Sequence, residues 1–223
     1  MSGHAGFDRL QYPGDSVMQW LRDNTNLAWI GFYLAPAPSQ PYTGWMLKHD
    51  FLKNLGWGFA PIYVGQQAQG PGSRILTAQQ GRIDAQDATN LASNAGFPQF
   101  SVLYLDVEQG PPLDQSVIDY YTAWVQVVFD NNYYPGVYCS HLLADQFIAA
   151  DNRVLLWVFN LRTYSSNQFY PNPYPNPDPS IGHPSSTVWQ LAQNCLIDAG
   201  SIRINPIDLD SSSLIDPSVF ISP

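Results

Sequence analysis

The chain alternates short apolar runs with longer segments whose apolar residues recur every three or four positions. Short runs bounded by Gly, Pro or polar residues are typical of buried strands, and the longer spacing is typical of amphipathic helices. The runs predict eight strands, at residues 5–9, 27–34, 58–64, 100–108, 134–140, 154–159, 187–191 and 206–210. Helices are predicted between most of them, at residues 16–24, 47–55, 77–95 and 115–131, with a short helix ending at 149.

The alternation stops after the sixth predicted strand. Residues 163–186 are polar and contain five prolines between positions 171 and 179, which excludes a helix or a central strand there. We interpret this segment as a surface loop that replaces or delays a crossover helix. The pattern therefore predicts a single domain over residues 1–223, an α/β fold in the form of a (β/α)8-like TIM barrel that can be irregular in its last βα units.

A doubly wound open sheet is the alternative fold. Sheets of that kind that bind nucleotides carry a glycine-rich phosphate loop between a strand and a helix. The nearest candidate, Gly70-Pro71-Gly72, does not lead directly from a strand into a helix. The barrel is the more economical interpretation.

Composition narrows the classes of partner. The formal net charge is −9 and only 12% of residues are charged, so we expect neither nucleic acid nor an anionic membrane surface as a ligand. No stretch reaches the roughly 18 apolar residues of a membrane span, and the N-terminus lacks the pattern of a signal peptide. Aromatic residues make up 14% of the chain and amides are frequent, which suits a neutral, hydroxyl-rich ligand such as a glycan.

The two cysteines, Cys139 and Cys195, are too few for a disulfide framework and match no metal motif. Buried free thiols are the simpler interpretation, and a single disulfide is the alternative. The four histidines are scattered along the chain, which argues against a zinc site. No Gly-x-Ser-x-Gly sequence is present, which argues against a serine hydrolase.

Glu108 is the only glutamate in the chain, and it follows Asp106 at the end of an apolar run. If the fourth strand continues through Glu108, both side chains project to one face with Cα atoms about 6.5 Å apart. Strand ends form the active-site mouth of a barrel, so Asp8 on strand one and Asp208 or Asp210 on strand eight would join them.

Carboxyl groups crowded in this way cannot all ionise, so their pKa values move apart. Cleavage of a glycosidic bond needs such a division, with one carboxyl group that donates a proton and another that stabilises positive charge. Glu108 has the longer reach and is our candidate acid. The alternatives are Mg²⁺ or Ca²⁺ bound by the four acids Asp8, Asp106, Glu108 and Asp208, or a purely structural cluster of caps and ion pairs.

Aromatic residues also recur at or near predicted strand ends, where a ring can stack on a sugar. For any single ring, packing in the core is an equal alternative, but the set favours a glycan groove. The members of this set are Tyr33, Tyr63, Tyr104, Tyr138, Trp157 and Trp189.

Several stretches together resemble a known family. They lie at residues 6–8, 31–34, 61–66, 81–92, 96–98, 104–108 and 135–140. The chain resembles, over nearly its whole length, the glycoside hydrolase-like family called domain of unknown function 1906, which is similar to the family 25 lysozymes, the Chalaropsis-type muramidases.

The resemblance implies a (β/α)8-like barrel that cleaves the β-1,4 bond after N-acetylmuramic acid. On the muramidase pattern Asp8 and Asp208 match the acids of the first and last strands. Glu108 matches the general acid, and Asp106 the nucleophile or the residue that orients the acetamido group of the substrate. Gln66 and the pair Trp189-Gln190 lie in matching stretches and join the predicted substrate-binding residues. Strand one departs from the pattern, because it reads Phe-Asp-Arg where the lysozymes have Asp-Val-Ser.

These observations predict a peptidoglycan-directed glycoside hydrolase. The alternative is a barrel that binds cell-wall glycan with little or no turnover. We expect a monomer that needs no cofactor or metal, does not insert into a membrane, and is extracellular or associated with the cell wall.

Overall fold

The computed structural model describes residues 2–68, 76–169, 173–198 and 202–220, with residues 163–169 described by their backbone alone. Gly70-Pro71-Gly72 lies outside the described residues, as does the part of the proline-rich segment at 170–172. Eight strands form a closed barrel in sequence order. The strands are β1 (His4–Asp8), β2 (Trp29–Tyr33), β3 (Gly58–Tyr63), β4 (Val102–Asp106), β5 (Tyr134–Ser140), β6 (Leu155–Phe169), β7 (Ser186–Asp198) and β8 (Arg203–Ser212). The predicted barrel is confirmed.

Five α-helices lie between the first six strands. They are α1 (Asp15–Asn24), α2 (His49–Asn54), α3 (Ala78–Ala95), α4 (Gln115–Asp130) and α5 (Ala144–Ala150). The two ends of α3 show how the sequence determines where a helix begins and ends. Thr77 caps its first turn by accepting a hydrogen bond from the backbone N–H of Gln80, and Gly96 ends it in the left-handed conformation at φ 98°.

The barrel is irregular at its last strand. Strands β1 to β7 pair in parallel with their neighbours, whereas β8 is antiparallel to both β7 and β1. The cause is chain length, because β7 ends at Asp198 and β8 begins at Arg203, and a parallel crossover needs about a dozen residues or more. Asp208 therefore lies opposite Asp8 in the pairing of β8 with β1.

Several predicted boundaries are corrected by the structure, and β7 and β8 are both longer than the predicted strands at 187–191 and 206–210. Strand β4 ends at Asp106 and does not continue through Glu108. Helix α2 begins at His49, which leaves Leu47 exposed in front of it. Strand β6 extends to Phe169 because it keeps pairing with β7 beyond the barrel, so the predicted loop at 163–186 begins later than expected.

Residues 173–185, which precede β7, run under the barrel in place of a crossover helix. Asn176 and Gly3 exchange hydrogen bonds, from the Gly3 N–H to the Asn176 carbonyl over 2.7 Å and from the Asn176 Nδ2 to the Gly3 carbonyl over 3.1 Å. The N–H of Tyr174 donates to Asn26 Oδ1 over 2.6 Å, just before β2. The described part of the proline-rich segment, from residue 173, thus covers the end of the barrel opposite the strand C-termini.

The lower interior of the barrel is aromatic. Trp157 makes edge-to-face contacts with Trp29, Tyr104 and Tyr138 at centroid distances of 5.7, 5.6 and 5.3 Å. Glycines on neighbouring strands leave room for these rings, since a Cβ at Gly136 would lie 2.5 Å from the ring of Tyr104. This packed floor closes the lower end of the barrel beneath the strand C-termini.

Candidate functional site

An open cleft of about 580 Å³ lies where the parallel strands end. Asp8, Tyr33 and Asp106 are the last residues of β1, β2 and β4, and the reversed β8 brings Asp208 to the same place. The residues that line the cleft are Asp8, Arg9, Leu10, Gln11, Tyr33, Ser39, Val64, Gln67, Asp106, Glu108, Asn194, Pro206, Ile207 and Asp208. All four predicted catalytic acids are therefore brought together in one cleft.

Asp8 is held on both sides of its carboxyl group. Tyr33 Oη donates to Asp8 Oδ1 over 2.7 Å, and Gln190 Nε2 donates to Asp8 Oδ2 over 2.9 Å. Burial raises the pKa of Asp8, and the hydrogen bonds from Tyr33 and Gln190 offset part of that rise. The orientation of this carboxyl group is thereby fixed by strands β2 and β7.

Asp106 is a buried acid with an unpaired side-chain oxygen. Its side chain is buried, and its Oδ1 has no hydrogen-bond partner among the described residues. Burial raises the pKa of Asp106 well above its usual range, and the negative charges of Glu108 and Asp8 raise it further. Burial of an ionised oxygen without a hydrogen-bond donor is unfavourable in free energy. Asp106 can therefore either be protonated or accept a hydrogen bond from a ligand.

Glu108 lies two residues beyond the end of β4. The N–H of Val107 still donates to the Tyr138 carbonyl over 2.9 Å, so the chain leaves the sheet only at Glu108. The Glu108 side chain is exposed, lines the cleft, and makes no hydrogen bond to another described residue. It is the acid that a ligand in the cleft reaches first.

Asp208 and Asp210 occupy two levels of β8. Asp208 lines the cleft and accepts a hydrogen bond from the backbone N–H of Asn194 over 2.8 Å. Burial, with a further contribution from the charge of Asp8, raises the pKa of Asp208 to about 8. Asp210 lies deeper, accepts a hydrogen bond from Trp157 Nε1 over 3.0 Å, and does not line the cleft. Burial raises the pKa of Asp210 well above its usual range. Asp210 is thus a fifth acid of the site, buried beneath the four that line the cleft.

The predicted substrate-binding residues divide into three groups. Only Tyr33 lines the cleft. Tyr138 and Gln190 lie just beneath it, where Tyr138 Oη donates to Gln190 Oε1 over 2.9 Å. Trp157 is buried one level lower, beside Asp210. These three side chains support the acids and do not line the cleft themselves.

The structure does not bring Tyr63, Gln66, Tyr104 and Trp189 to the cleft. Tyr63 and Trp189 have outward positions on their strands, because side chains alternate between the two faces. Tyr63 Oη donates to Asp87 on α3 over 2.9 Å, and Trp189 Nε1 donates to the Asn160 carbonyl over 2.9 Å.

The other two residues miss the cleft for different reasons. Tyr104 points inward but lies at the bottom, where its Oη donates to the Pro217 carbonyl over 3.2 Å. The Gln66 N–H donates to Asp84 Oδ2 and to Tyr120 Oη, both over 3.3 Å, outside the barrel. The next residue, Gln67, lines the cleft instead and donates from Nε2 to the Asp106 carbonyl over 3.0 Å.

Sequence reasoning also missed Arg9 and Asn194 as cleft residues. Asn194 is one of three non-glycine residues described with positive φ, at 55°, and this conformation aims its N–H at Asp208. Asn194 lies at an irregularity in the pairing of β7 with β8, between Ala192 and Cys195, and no periodic pattern in the sequence marks it. Arg9 directly follows the acid of strand one, and this position is a sequence signal that could have placed it at the cleft.

Three further expectations bear on the site. Cys139 and Cys195 are free and buried, which confirms the simpler interpretation. Within the described part of the chain, no three or more His, Cys, Asp or Glu side chains are arranged to hold a metal ion. Of the helices that the structure describes, none is both long enough and apolar enough to cross a membrane.

The closed barrel with acids at its strand ends has the architecture of a glycoside hydrolase-like domain. The family model of the Rv2525c-like, glycoside hydrolase-like domain matches residues 19–211, and the chain belongs to that family. The resemblance noted in the sequence is thereby confirmed. No curated protein is similar enough in sequence to count as a match.

Solved structures share the fold at low sequence identity. An uncharacterised protein of B. stearothermophilus superposes with a TM-score of 0.66 at 21% identity, covering 94% of this chain and 96% of that one. The Tat-secreted protein Rv2525c of Mycobacterium tuberculosis, in complex with L-tartrate, gives 0.66 at 16% identity, with 95% and 96% covered. The bacterial lysozyme of Streptomyces coelicolor gives 0.63 at 13% identity, with 98% of each chain covered.

Proposed function

We propose that this protein is a glycoside hydrolase that cleaves the β-1,4 bond after N-acetylmuramic acid in peptidoglycan. The observation that carries the proposal is the pairing of an exposed Glu108 with a buried Asp106 in one open cleft. Glycosidic cleavage uses two carboxyl groups, one that reaches the leaving oxygen and one beside the reacting carbon, and the cleft offers both.

Glu108 is the general acid in this proposal. A general acid must come within hydrogen-bond reach of the leaving oxygen, and Glu108 is exposed to any ligand that enters the cleft. It donates a proton to the glycosidic oxygen as the bond to the anomeric carbon breaks, and a water molecule then adds its oxygen to that carbon and returns a proton to Glu108.

Asp106 acts on the other side of the reacting carbon. Its unpaired Oδ1 can accept a hydrogen bond from the acetamido N–H of the substrate, and in its ionised form Asp106 stabilises the positive charge that develops on the sugar ring. Asp8 and Asp208 bind hydroxyl groups of the sugar from the neighbouring strands. Tyr33 fixes Asp8 and presents its ring to the cleft.

Digestion of purified peptidoglycan tests the proposal directly. Wild type should release reducing N-acetylmuramic acid ends, and Glu108→Gln should lower the rate by a factor on the order of 10² to 10⁴, the usual contribution of general acid catalysis. Asp106→Asn should show a comparable loss. Asp119→Asn, on the exposed face of α4, is the matched control and should keep the wild-type rate. Equal release by wild type and Glu108→Gln would remove Glu108 from catalysis.

A binding protein without turnover is the second candidate. It is favoured by the absence of any hydrogen bond from Glu108 to a described residue, because a catalytic acid is ordinarily held in position. The same digestion separates the two functions. Retention on insoluble peptidoglycan without release of reducing ends would support the binding function.

The cellular setting follows from the proposed substrate. We place the protein outside the cytoplasmic membrane, in contact with the cell wall, in line with a structural relative that is Tat-secreted. Catalysis by carboxyl groups needs no cofactor.

A further inference from the structure

We infer that Arg9 is a carboxylate-binding residue that selects glycans carrying an anionic group on the muramyl unit. The inference rests on the proposed function and names the feature of the substrate that the cleft recognises. Arg9 directly follows Asp8, where strand one departs from the lysozyme pattern.

Arg9 is the only Lys or Arg among the described residues that line the cleft. The other ionisable groups there are the acids Asp8, Asp106, Glu108 and Asp208. A carboxylate on the ligand is attracted at a single place, next to Arg9, and is repelled by those of the acids that are ionised. The cleft is therefore electrostatically polarised, and an anionic ligand has one orientation in which it fits.

The guanidinium group of Arg9 is held by carbonyl groups and not by an acid. Its Nε donates to the Gln11 carbonyl over 3.0 Å, and one terminal nitrogen, Nη1, donates to the Pro206 carbonyl over 3.2 Å. No carboxylate of the described residues lies within ion-pairing distance, in contrast to Arg153, whose Nη2 lies 2.6 Å from Asp151 Oδ2. The positive charge of Arg9 is thus fixed in place but not neutralised by a direct ion pair.

This arrangement leaves donors for a ligand. A guanidinium group has five N–H donors, and the two carbonyl bonds use two of them. The free donors on Nη1 and Nη2 can form the paired hydrogen bonds that a carboxylate accepts from arginine. The anchoring carbonyls reduce the entropy that the side chain loses when it binds a ligand.

The backbone of Arg9 is also fixed. Its carbonyl accepts a hydrogen bond from Trp45 Nε1 over 3.1 Å, and Trp45 is fully buried. The guanidinium group reaches from the end of β1 to Pro206 at the start of β8, so it lies on the rim beside Asp208. A bound sugar that contacts Asp8 and Asp208 would carry its substituents past this rim.

Peptidoglycan offers a carboxylate on the muramyl unit from two sources. The lactyl group is itself a carboxylate where no peptide is attached, and a stem peptide carries carboxylates further from the sugar ring. Both present the same planar anion to the guanidinium group. Neutral glycans built only of N-acetylglucosamine present none.

Binding to defined oligosaccharides tests the inference, with Glu108→Gln as the background so that no ligand is consumed. Calorimetry would compare a muramyl oligosaccharide with a free lactyl carboxylate, its N-methylamide, a muramyl-peptide oligosaccharide and a chitin oligosaccharide. We expect the lactyl acid or the peptide form to bind about tenfold more tightly than the methylamide, as one charge-assisted hydrogen-bonded pair provides. Which of the two carboxylates gives the gain identifies the source.

A second substitution isolates the arginine. Arg9→Gln in the same background should remove the preference for the carboxylate while leaving the affinity for chitin and the methylamide within about twofold. Retained binding of the neutral ligands shows that the variant is folded. Arg82→Gln, on the exposed surface of α3, removes an equal charge away from the cleft and should keep the preference.

Two results would overturn the inference in different ways. Equal affinity for acid and methylamide, or an equal loss for every ligand in Arg9→Gln, would reject the role of Arg9 and leave the proposed function standing. A protein that binds none of the four oligosaccharides would reject both.

Discussion

Gln190 Nε2 lies 2.9 Å from Asp8 Oδ2, so the seventh strand of the barrel orients an acid on the first. The side-chain oxygen of Gln190 is also occupied, since it accepts hydrogen bonds from Tyr138 Oη and Gln193 Nε2, each over 2.9 Å. One buried amide therefore connects three strands beneath the cleft. Its donor and its acceptor are both used, which is the condition for a stable buried polar network.

Gln190→Leu should destabilise the protein by about 1–3 kcal/mol, because it leaves Tyr138 Oη and one oxygen of Asp8 without partners. Urea unfolding monitored by tryptophan fluorescence measures the loss. Gln146→Leu, on the exposed side of α5, makes the same chemical change without a buried network and should cost less than about 0.5 kcal/mol. Equal losses in the two variants would contradict the role of Gln190.

Tyr33→Phe should raise the pKa of Asp8. The hydrogen bond from Tyr33 stabilises the ionised form of Asp8, and its removal leaves desolvation as the dominant effect. Carbon NMR of the labelled aspartate carboxyl groups would follow the titration without any assay of activity. Tyr42→Phe, at an exposed tyrosine, is the matched control and should leave the Asp8 titration unchanged. A downward shift in Tyr33→Phe would show that the bond does not favour the charged form.

The sequence predicted the barrel and its acids because both depend on local patterns. Alternating strands and helices indicate parallel units, and the acids Asp8 and Asp106 end apolar runs, where the barrel opens. The direction of β8 leaves no such pattern, since an apolar strand reads alike in either direction. The predicted strands at 187–191 and 206–210 also leave enough residues between them for a crossover, and the connection is short only because β7 extends to Asp198 and β8 begins at Arg203.

The positions of the aromatic residues were harder to predict, because both the face of the sheet and the height along the barrel axis must be known. Alternation along β3 and β7 assigns Tyr63 and Trp189 to the outer surface, and this could have been predicted from strand periodicity. The depth of Tyr104 could not, because it depends on the stagger between strands. Its ring lies against Trp157 at the floor, a contact between residues far apart in the chain.

Gly31→Ala should destabilise the protein and displace Asp8, because the added methyl group would clash beneath the cleft. A Cβ at position 31 would lie 2.5 Å from the Cβ of Asp8 and 3.3 Å from the ring of Trp157. Overpacking of this kind costs about 1–3 kcal/mol and would displace Asp8 from Tyr33. Thermal unfolding measures the cost, and the Asp8 carboxyl resonance reports the displacement. Gly110→Ala is the control, because nothing lies within 4 Å of its added Cβ. Similar melting temperatures for the two variants would contradict the predicted clash.

The stability of the protein should fall as pH rises from about 4 to about 8. Burial raises the pKa of Asp208 from 3.8 to about 8, so the folded state binds a proton in this range that the unfolded state releases. The resulting stabilisation is complete below pH 3.8 and is lost as pH rises through the folded pKa. Asp8, Asp106 and Asp210 are shifted in the same direction and steepen the dependence.

Asp208→Asn isolates one part of that dependence. Asn keeps an oxygen that can accept the N–H of Asn194, but it carries no titrating proton. The slope of unfolding free energy between pH 5 and pH 7 should therefore be shallower than in wild type by about 1 kcal/mol per pH unit, close to the 1.36 kcal/mol that one proton contributes. Urea unfolding across this range measures both slopes, and Asp119→Asn on α4 should retain the wild-type slope. A wild-type slope in Asp208→Asn would mean that Asp208 is already ionised in the folded protein. The proton would then belong to another acid of the cleft.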